Sequence, residues 1–234
     1  MEFDIRYIAL EGEFSAIDVE ADGWGEQRPV EISLVRFSAG QPVEEHHWMI
    51  NPERGISPYV ADLHGITDQM VAGAPVFSDI RSDVASLVEG SVLVAHCIKD
   101  DMRLLSTVFP EAPLLPSLMF DTLRMAKNLV KEIGRFNLDT LSEALEIEVP
   151  ENRLYPVHTS YPSRGVARHS TGVDAYLAGA AFVSMARRID LSPKQVKHIG
   201  QSVRHVLNPR QIEAIRELVD TSAVSVRRVV APRV

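Results

Sequence analysis

A chain of 234 residues with 45% hydrophobic side chains and a mean hydropathy near zero suits one α/β domain with a sizeable core plus an appendage. Its 32 acidic against 24 basic side chains, a net charge of −8, argue against a general polyanion binder. The lone Cys97 excludes an intrachain disulfide, and the longest nearly apolar run, Ala175 to Ala186, is too short to cross a bilayer. With an N-terminus, Met-Glu-Phe-Asp-Ile-Arg, that lacks a basic and then apolar leader, these features set the expectation of a cytoplasmic protein in a reducing compartment.

Residues 14–19, about 30–37 and about 43–49 read as strands. The second of them, Val30-Glu31-Ile32-Ser33-Leu34-Val35-Arg36-Phe37, alternates at period two like a half-buried strand. Ser38-Ala39-Gly40-Gln41-Pro42 reads as a turn, which makes the second and third strands an antiparallel hairpin. After a loop over Asn51–Pro58 come two short helices. A longer helix over about Phe77–Glu89 follows, with Ile80, Val84, Leu87 and Val88 on one face. Val92–Ala95 has the fully apolar pattern of a central buried strand. A helix is expected over about Asp101–Val108, a fifth strand at Leu118-Met119-Phe120, and helices from Asp121 and over about Leu138–Leu145. Pro150–Arg168 has no clear periodicity and reads as a long functional loop before a helix over Thr171–Arg188. A strand meander followed by alternating strands and helices predicts an α/β fold, a mixed five-stranded sheet flanked by helices.

The chemistry-bearing residues lie in three short segments. Asp18-Val19-Glu20 ends the first apolar strand, Asp101 closes the run that starts at Val92, and His169-Ser170-Thr171-Gly172-Val173-Asp174 opens the last helix. Asp18 and Glu20, two apart on a strand, face the same side. Acids facing a core without a nearby base are costly unless they bind something. Four gathered carboxylates would drive one another to protonate, and divalent cations remove that penalty. Oxygen-only ligation suits Mg²⁺ or Mn²⁺, and two such ions roughly 4 Å apart can clamp a phosphodiester during in-line displacement.

The order strand–Asp-x-Glu, strand–loop–Asp, helix–His-x₄-Asp resembles the DEDDh family of 3′→5′ exonucleases, which includes polymerase proofreading subunits, ribonuclease T and oligoribonuclease. The resemblance covers about residues 12–188. It is supported by Asn51-Pro52, Leu63-His64-Gly65-Ile66-Thr67-Asp68, Val94-Ala95-His96, Asp121-Thr122-Leu123 and Leu138-Asp139-Thr140-Leu141. Two stretches depart from the family pattern. Ala21-Asp22-Gly23 stands where Thr-Thr-Gly is usual, and His96-Cys97-Ile98-Lys99-Asp100-Asp101 where His-Asn-Ala-x-Phe-Asp is usual.

The resemblance implies a ribonuclease-H-like fold and a metal-dependent exonuclease that releases nucleoside 5′-monophosphates from single-stranded nucleic acid with a free 3′ end. In this reading Asp18, Glu20, Asp101 and Asp174 hold two Mg²⁺ or Mn²⁺ ions, with Asp100 an exposed neighbour. His169 is the general base, since imidazole titrates near neutrality. Ala21 and His64 stand where the family contacts the terminal nucleotide. Trp24 could stack on a base or form a hydrophobic lid. His96 is expected to hydrogen-bond the backbone, and His46, His47, His158, His198 and His205 to be structural or surface residues. DNA is the first substrate expected. The alternatives are the same chemistry on RNA, which turns on tolerance of a 2′-OH, and a catalytically silent nucleic-acid or partner-binding module on this fold.

Residues 1–189 form the expected exonuclease domain, and 190–234 a basic helical extension outside the resemblance. Residues 187–234 hold ten Lys or Arg against four acids. Ser192-Pro193 and Asn208-Pro209 each open a helix with an N-cap residue and proline at its first position. The bases predict guidance of a phosphate backbone. The apolar Val196, Ile199, Val203, Val206 and Leu207 predict packing on the body, a second copy or a partner protein.

Overall fold

In the computed structural model, described over residues 4–110, 114–150 and 170–188, the three N-terminal strand patterns form a continuous meander. Strands β1 (Glu13–Ala21), β2 (Pro29–Ser38) and β3 (Gln41–Met49) pair antiparallel in sequence. The β2–β3 turn is tighter than expected. Only Ala39 and Gly40 connect the strands, with φ of 49° and 72°. Positive φ at both central residues matches the right-handed twist of the strands, and Gly40 adopts it without a Cβ penalty. Strands β4 (Val92–Ala95) and β5 (Leu118–Asp121) add parallel to β1, so the sheet order is β3-β2-β1-β4-β5.

Period-two alternation sends the two halves of each strand into different cores. Phe14, Ala16, Val35, Phe37, Val94 and Phe120 share one core with Phe182, Ala175 and Ala181. The last three lie on the long helix that we label α8 (Thr171–Arg188). Ile17, Ile32, Leu34, Leu93, Ala95 and Met119 share the other with residues of α4 (Phe77–Val88) and α5 (Ile98–Val108). The first core is aromatic: Phe14 stacks on Phe37 at 4.8 Å, and Phe182 meets Phe14 edge-on and stacks on Phe120, each at 5.0 Å. Such pairs contribute about 0.5–1.5 kcal/mol beyond their buried area. Helix α8 can come this close because Gly179 faces Phe37, where an added Cβ would lie 2.2 Å from the ring.

The remaining helices are α1 (Ile5–Leu10), α2 (Pro58–His64), α3 (Asp68–Val71), α6 (Thr122–Leu129) and α7 (Leu138–Ala144), with a 3₁₀ turn over Lys131–Ile133. Helix α1 and the 3₁₀ turn were not anticipated. Asp4 caps α1 by accepting the N–H groups of Arg6 and Tyr7 at 2.9 and 3.2 Å, while Ile5 and Ala9 are buried beneath. Helix α5 starts at Ile98, three residues before the expected Asp101. No helix among the described residues is long and apolar enough to cross a membrane. The expected loop over 150–168 lies almost wholly outside the described residues, and the C-terminal helices lie entirely outside them.

Candidate active site

The parallel pairing of β1 with β4 covers only Ser15↔Leu93 and Ala16↔Val94. Beyond Ala16 the β1–β4 ladder does not continue among the described residues, and the chain leaves β4 at Ala95 to turn into α5. A side chain fills this gap: Asp101 Oδ1 accepts the N–H of Val19 at 3.1 Å. That bond brings the first turn of α5 to the residue between Asp18 and Glu20. A crevice beyond the carboxyl ends of strands, where the strand order departs in both directions, is the usual ligand position in open α/β sheets.

The turn into α5 is made by Cys97 at the N-cap, in the left-handed region with φ 73° and no side-chain capping bond. Because the helix begins earlier than expected, Asp101 sits inside its first turn rather than at its cap. Asp101 is buried at 6% exposure. Its neighbour Asp100 is 60% exposed, accepts the Cys97 thiol at 2.9 Å and lies 3.7 Å from Arg103. Burial pushes the Cys97 thiol up to about 12, and the carboxylate of Asp100 adds to the shift.

Asp174 lies in the first turn of α8, its N–H donating to Ser170 O at 3.0 Å. Burial, then the carboxylates of Asp174, Asp101, Glu20 and Glu31, push Asp18 well above the usual carboxylate range. Asp101 is likewise pushed up, by burial first and by Asp100 and Glu20, against the stabilising N–H groups of its own backbone and Val19. The four acids are therefore brought within electrostatic reach of one another. Their donor set is hard oxygen only, which fits Mg²⁺ or Mn²⁺ and not a softer ion. Among the described residues no three His, Cys, Asp or Glu side chains already converge as a closed cage.

His169 lies outside the described residues, which resume at Ser170. His64 is 1% exposed, and both ring nitrogens are engaged inside the chain. Nδ1 accepts the N–H of Ile66 at 3.0 Å, which leaves the hydrogen on Nε2 to donate to the carbonyl of Ala21 at 3.1 Å. His64 thus fixes the end of β1 just after Glu20. Trp24 is 45% exposed, and its indole N–H donates to Gly55 O at 2.6 Å. His96 is bonded to Phe136 O at 2.8 Å and to Thr122 Oγ1 at 3.0 Å, in line with the backbone role expected of it. His47 pairs with Glu31 and His46 with Glu44.

Two features escaped the sequence reading. Asp22, at 0% exposure, organises the loop after β1. It accepts the N–H groups of Trp24 and Arg28 at 3.3 and 3.1 Å and pairs with the Arg54 guanidinium. The departure from Thr-Thr-Gly at these positions was its only signal. The other is Glu31, a fifth acid, also at 0% exposure. A cavity of about 300 Å³ lined by residues including Arg28, Asn51, Phe77, Arg81 and Thr107 touches none of the four acids, so the candidate site rests on its carboxylates and not on concavity.

A family model described as an exonuclease matches residues 15–161, a span that includes Asp18, Glu20 and Asp101. The chain is 28% identical over 209 residues to a PolC-type DNA polymerase III of Caldanaerobacter subterraneus subsp. tengcongensis, covering 88% of this chain and 14% of that one. It is also 28% identical over 210 residues to the DNA polymerase III subunit epsilon of Treponema pallidum, covering 88% of each. The chain therefore spans only a small part of the PolC-type relatives. Both alignments extend further than residues 1–189 could supply, so part of the C-terminal segment does have counterparts. Among solved structures, exonuclease X in complex with 5′-overhanging duplex DNA matches with a TM-score of 0.60 and 25% identity, over 80% of this chain and 99% of that one. Exonuclease I of E. coli in complex with a dT13 oligonucleotide shares the fold, with a TM-score of 0.61 at 17% identity over 86% and 45%.

Proposed function

Since this chain belongs to the exonuclease family, we propose that it is a 3′→5′ exonuclease that removes nucleoside 5′-monophosphates from single-stranded DNA ends by two-metal hydrolysis. The observation that carries this reading is the set of carboxylates crowding Asp18, a cluster of like charge whose cost a pair of divalent cations would remove. DNA is favoured over RNA because the relatives are named as DNA polymerase III chains and exonuclease X is seen with 5′-overhanging duplex DNA.

Asp18, Glu20, Asp101 and Asp174 would hold the ions. When bound, these would neutralise the phosphodiester, make water a better nucleophile and stabilise the leaving 3′ oxygen. His169 takes the proton of the attacking water as its oxygen bonds to phosphorus. The bond from phosphorus to the 3′ oxygen breaks, that oxygen is protonated, and the phosphate stays on the released nucleotide. The Val19–Asp101 bond keeps α5 registered on β1. His64 acts through Ala21, holding the strand end against which the terminal nucleotide rests, and the exposed face of Trp24 supplies a surface for an unpaired base.

The test is time-resolved product analysis on matched 5′-labelled DNA and RNA oligonucleotides with free 3′ ends. Stepwise shortening of the DNA with release of 5′-monophosphates, faster than for RNA, is expected. Faster shortening of the RNA would reassign the substrate, and no shortening of either would leave a binding module.

A further inference from the structure

The face of β2 that looks toward α8 carries a buried acid that the proposed reaction does not use. Glu31 stands in register with Glu20 on β1. One of its oxygens lies 2.7 Å from His47 Nε2, so the imidazole N–H donates to the carboxylate. The other accepts the backbone N–H of Thr171 at 3.3 Å, at the first residue of α8. Two residues further along the same face, Ser33 meets the Thr171 hydroxyl at 2.6 Å. Ser33 is itself in register with Asp18 on one side and His47 on the other. Asp18, Ser33 and His47 thus form one row across the sheet, with Glu20 and Glu31 in the next.

A buried carboxylate beside other carboxylates is unfavourable, and an apolar side chain would fill the space at less cost. A carboxylate can, however, accept two hydrogen bonds at once from fixed directions. Here one comes from β3 and the other from the first amide of α8. Helix α8 carries Asp174 within its first turn, so the position of that amide sets where Asp174 meets β1.

We infer that Glu31, held by His47, is a positioning residue that fixes the start of α8 and so places Asp174 against Asp18 and Glu20 for metal binding. The inference rests on the two-metal reading. Groups that orient ligands without touching the ion typically contribute 10–100-fold to metal affinity or activity.

The test is calorimetric titration of Mn²⁺ into the full chain, with kcat and KM on a DNA oligonucleotide, for the unsubstituted protein, Glu31→Gln, Glu31→Ala and His47→Leu. Glu31→Gln keeps an oxygen for the Thr171 N–H and should bind Mn²⁺ within about threefold of the parent. Glu31→Ala should weaken Mn²⁺ binding and lower kcat by about 10–100-fold with KM little changed. His47→Leu, which keeps Glu31 but removes its other anchor, should fall between them and carries the test if Glu31→Ala does not fold. Mn²⁺ binding by Glu31→Ala or His47→Leu equal to that of the parent would overturn the inference. So would a loss in Glu31→Gln as large as in Glu31→Ala, since the charge itself would then be required. A parent protein that binds no Mn²⁺ would strike down the two-metal reading and the inference with it.

Discussion

Asp18 is buried among acids, a like-charge cost that divalent cations would relieve. In the unfolded chain its carboxyl has an ordinary value, whereas in the fold burial and four acidic neighbours raise it. As pH rises between the two values, the unfolded chain has released a proton that the folded chain still holds, so the stability of the metal-free protein falls with rising pH. Asp18→Asn should therefore raise Tm by a few degrees in excess chelator near pH 7, and the gain should shrink in saturating Mg²⁺. Scanning fluorimetry under both conditions checks this, and an unchanged Tm in chelator would remove the electrostatic account. A second residue-scale prediction separates neighbours. Asp101 is buried and bonded to Val19, whereas Asp100 is exposed beside Arg103. Asp101→Asn should lower turnover at least 100-fold, and Asp100→Asn by less than about threefold; initial rates on a labelled oligonucleotide decide. Asp18 and Glu20, acids at the end of an apolar strand, are conspicuous in the sequence, whereas Asp101, inside the first turn of α5, was picked out only by the family resemblance. Glu31 was not legible. Glu31 and Ser33 alternate with the apolar Val30, Ile32 and Leu34 and so read as solvent-facing, and they become interior because α8 is laid across them.

At the scale of elements, pattern found most of what long-range packing later used. The span Thr171–Arg188 was legible as a helix, and Val92–Ala95 as a central strand. The start of α5 was misplaced because Asp is a favoured N-cap and drew the boundary to Asp101. The actual cap is Cys97, whose side chain makes no capping bond and whose left-handed backbone leaves no mark in a sequence. Helix α1, six residues long, was too short for periodicity to reveal. The close seating of α8 was equally invisible, since Gly179 reads as a weak helix position and shows its purpose only against Phe37. Gly179→Ala would drive a methyl group into that ring. The expected cost is about 1–3 kcal/mol of overpacking, in place of the gain usual for glycine to alanine in a helix. Equilibrium urea unfolding measures it, and a stabilised variant would contradict the packing described.

For the whole molecule, the mixed order of the sheet follows from its connections. A meander with short turns can only pair antiparallel, and strands reached through helices return parallel. Charge is less evenly shared. Ten bases against four acids in 187–234 leave the rest of the chain strongly acidic. That body would repel a nucleic-acid backbone unless the site carried cations. For the segment 190–234 we propose packing as its first role, because Val196, Ile199, Val203, Val206 and Leu207 need burial. Removing it should change the sedimentation coefficient and leave the salt dependence of oligonucleotide binding unaltered. A flatter salt slope would instead make the segment a guide for phosphates.

Carboxylates gathered at the end of β1 are expected to work only with divalent cations between them. Release of 5′-monophosphates from a labelled single-stranded DNA is the measurement that tests this dependence most directly, made on protein stripped exhaustively with chelator and then titrated with Mg²⁺ or Mn²⁺. No release is expected from the stripped protein, with full recovery as the ion is restored. Release that persists after stripping would contradict the account.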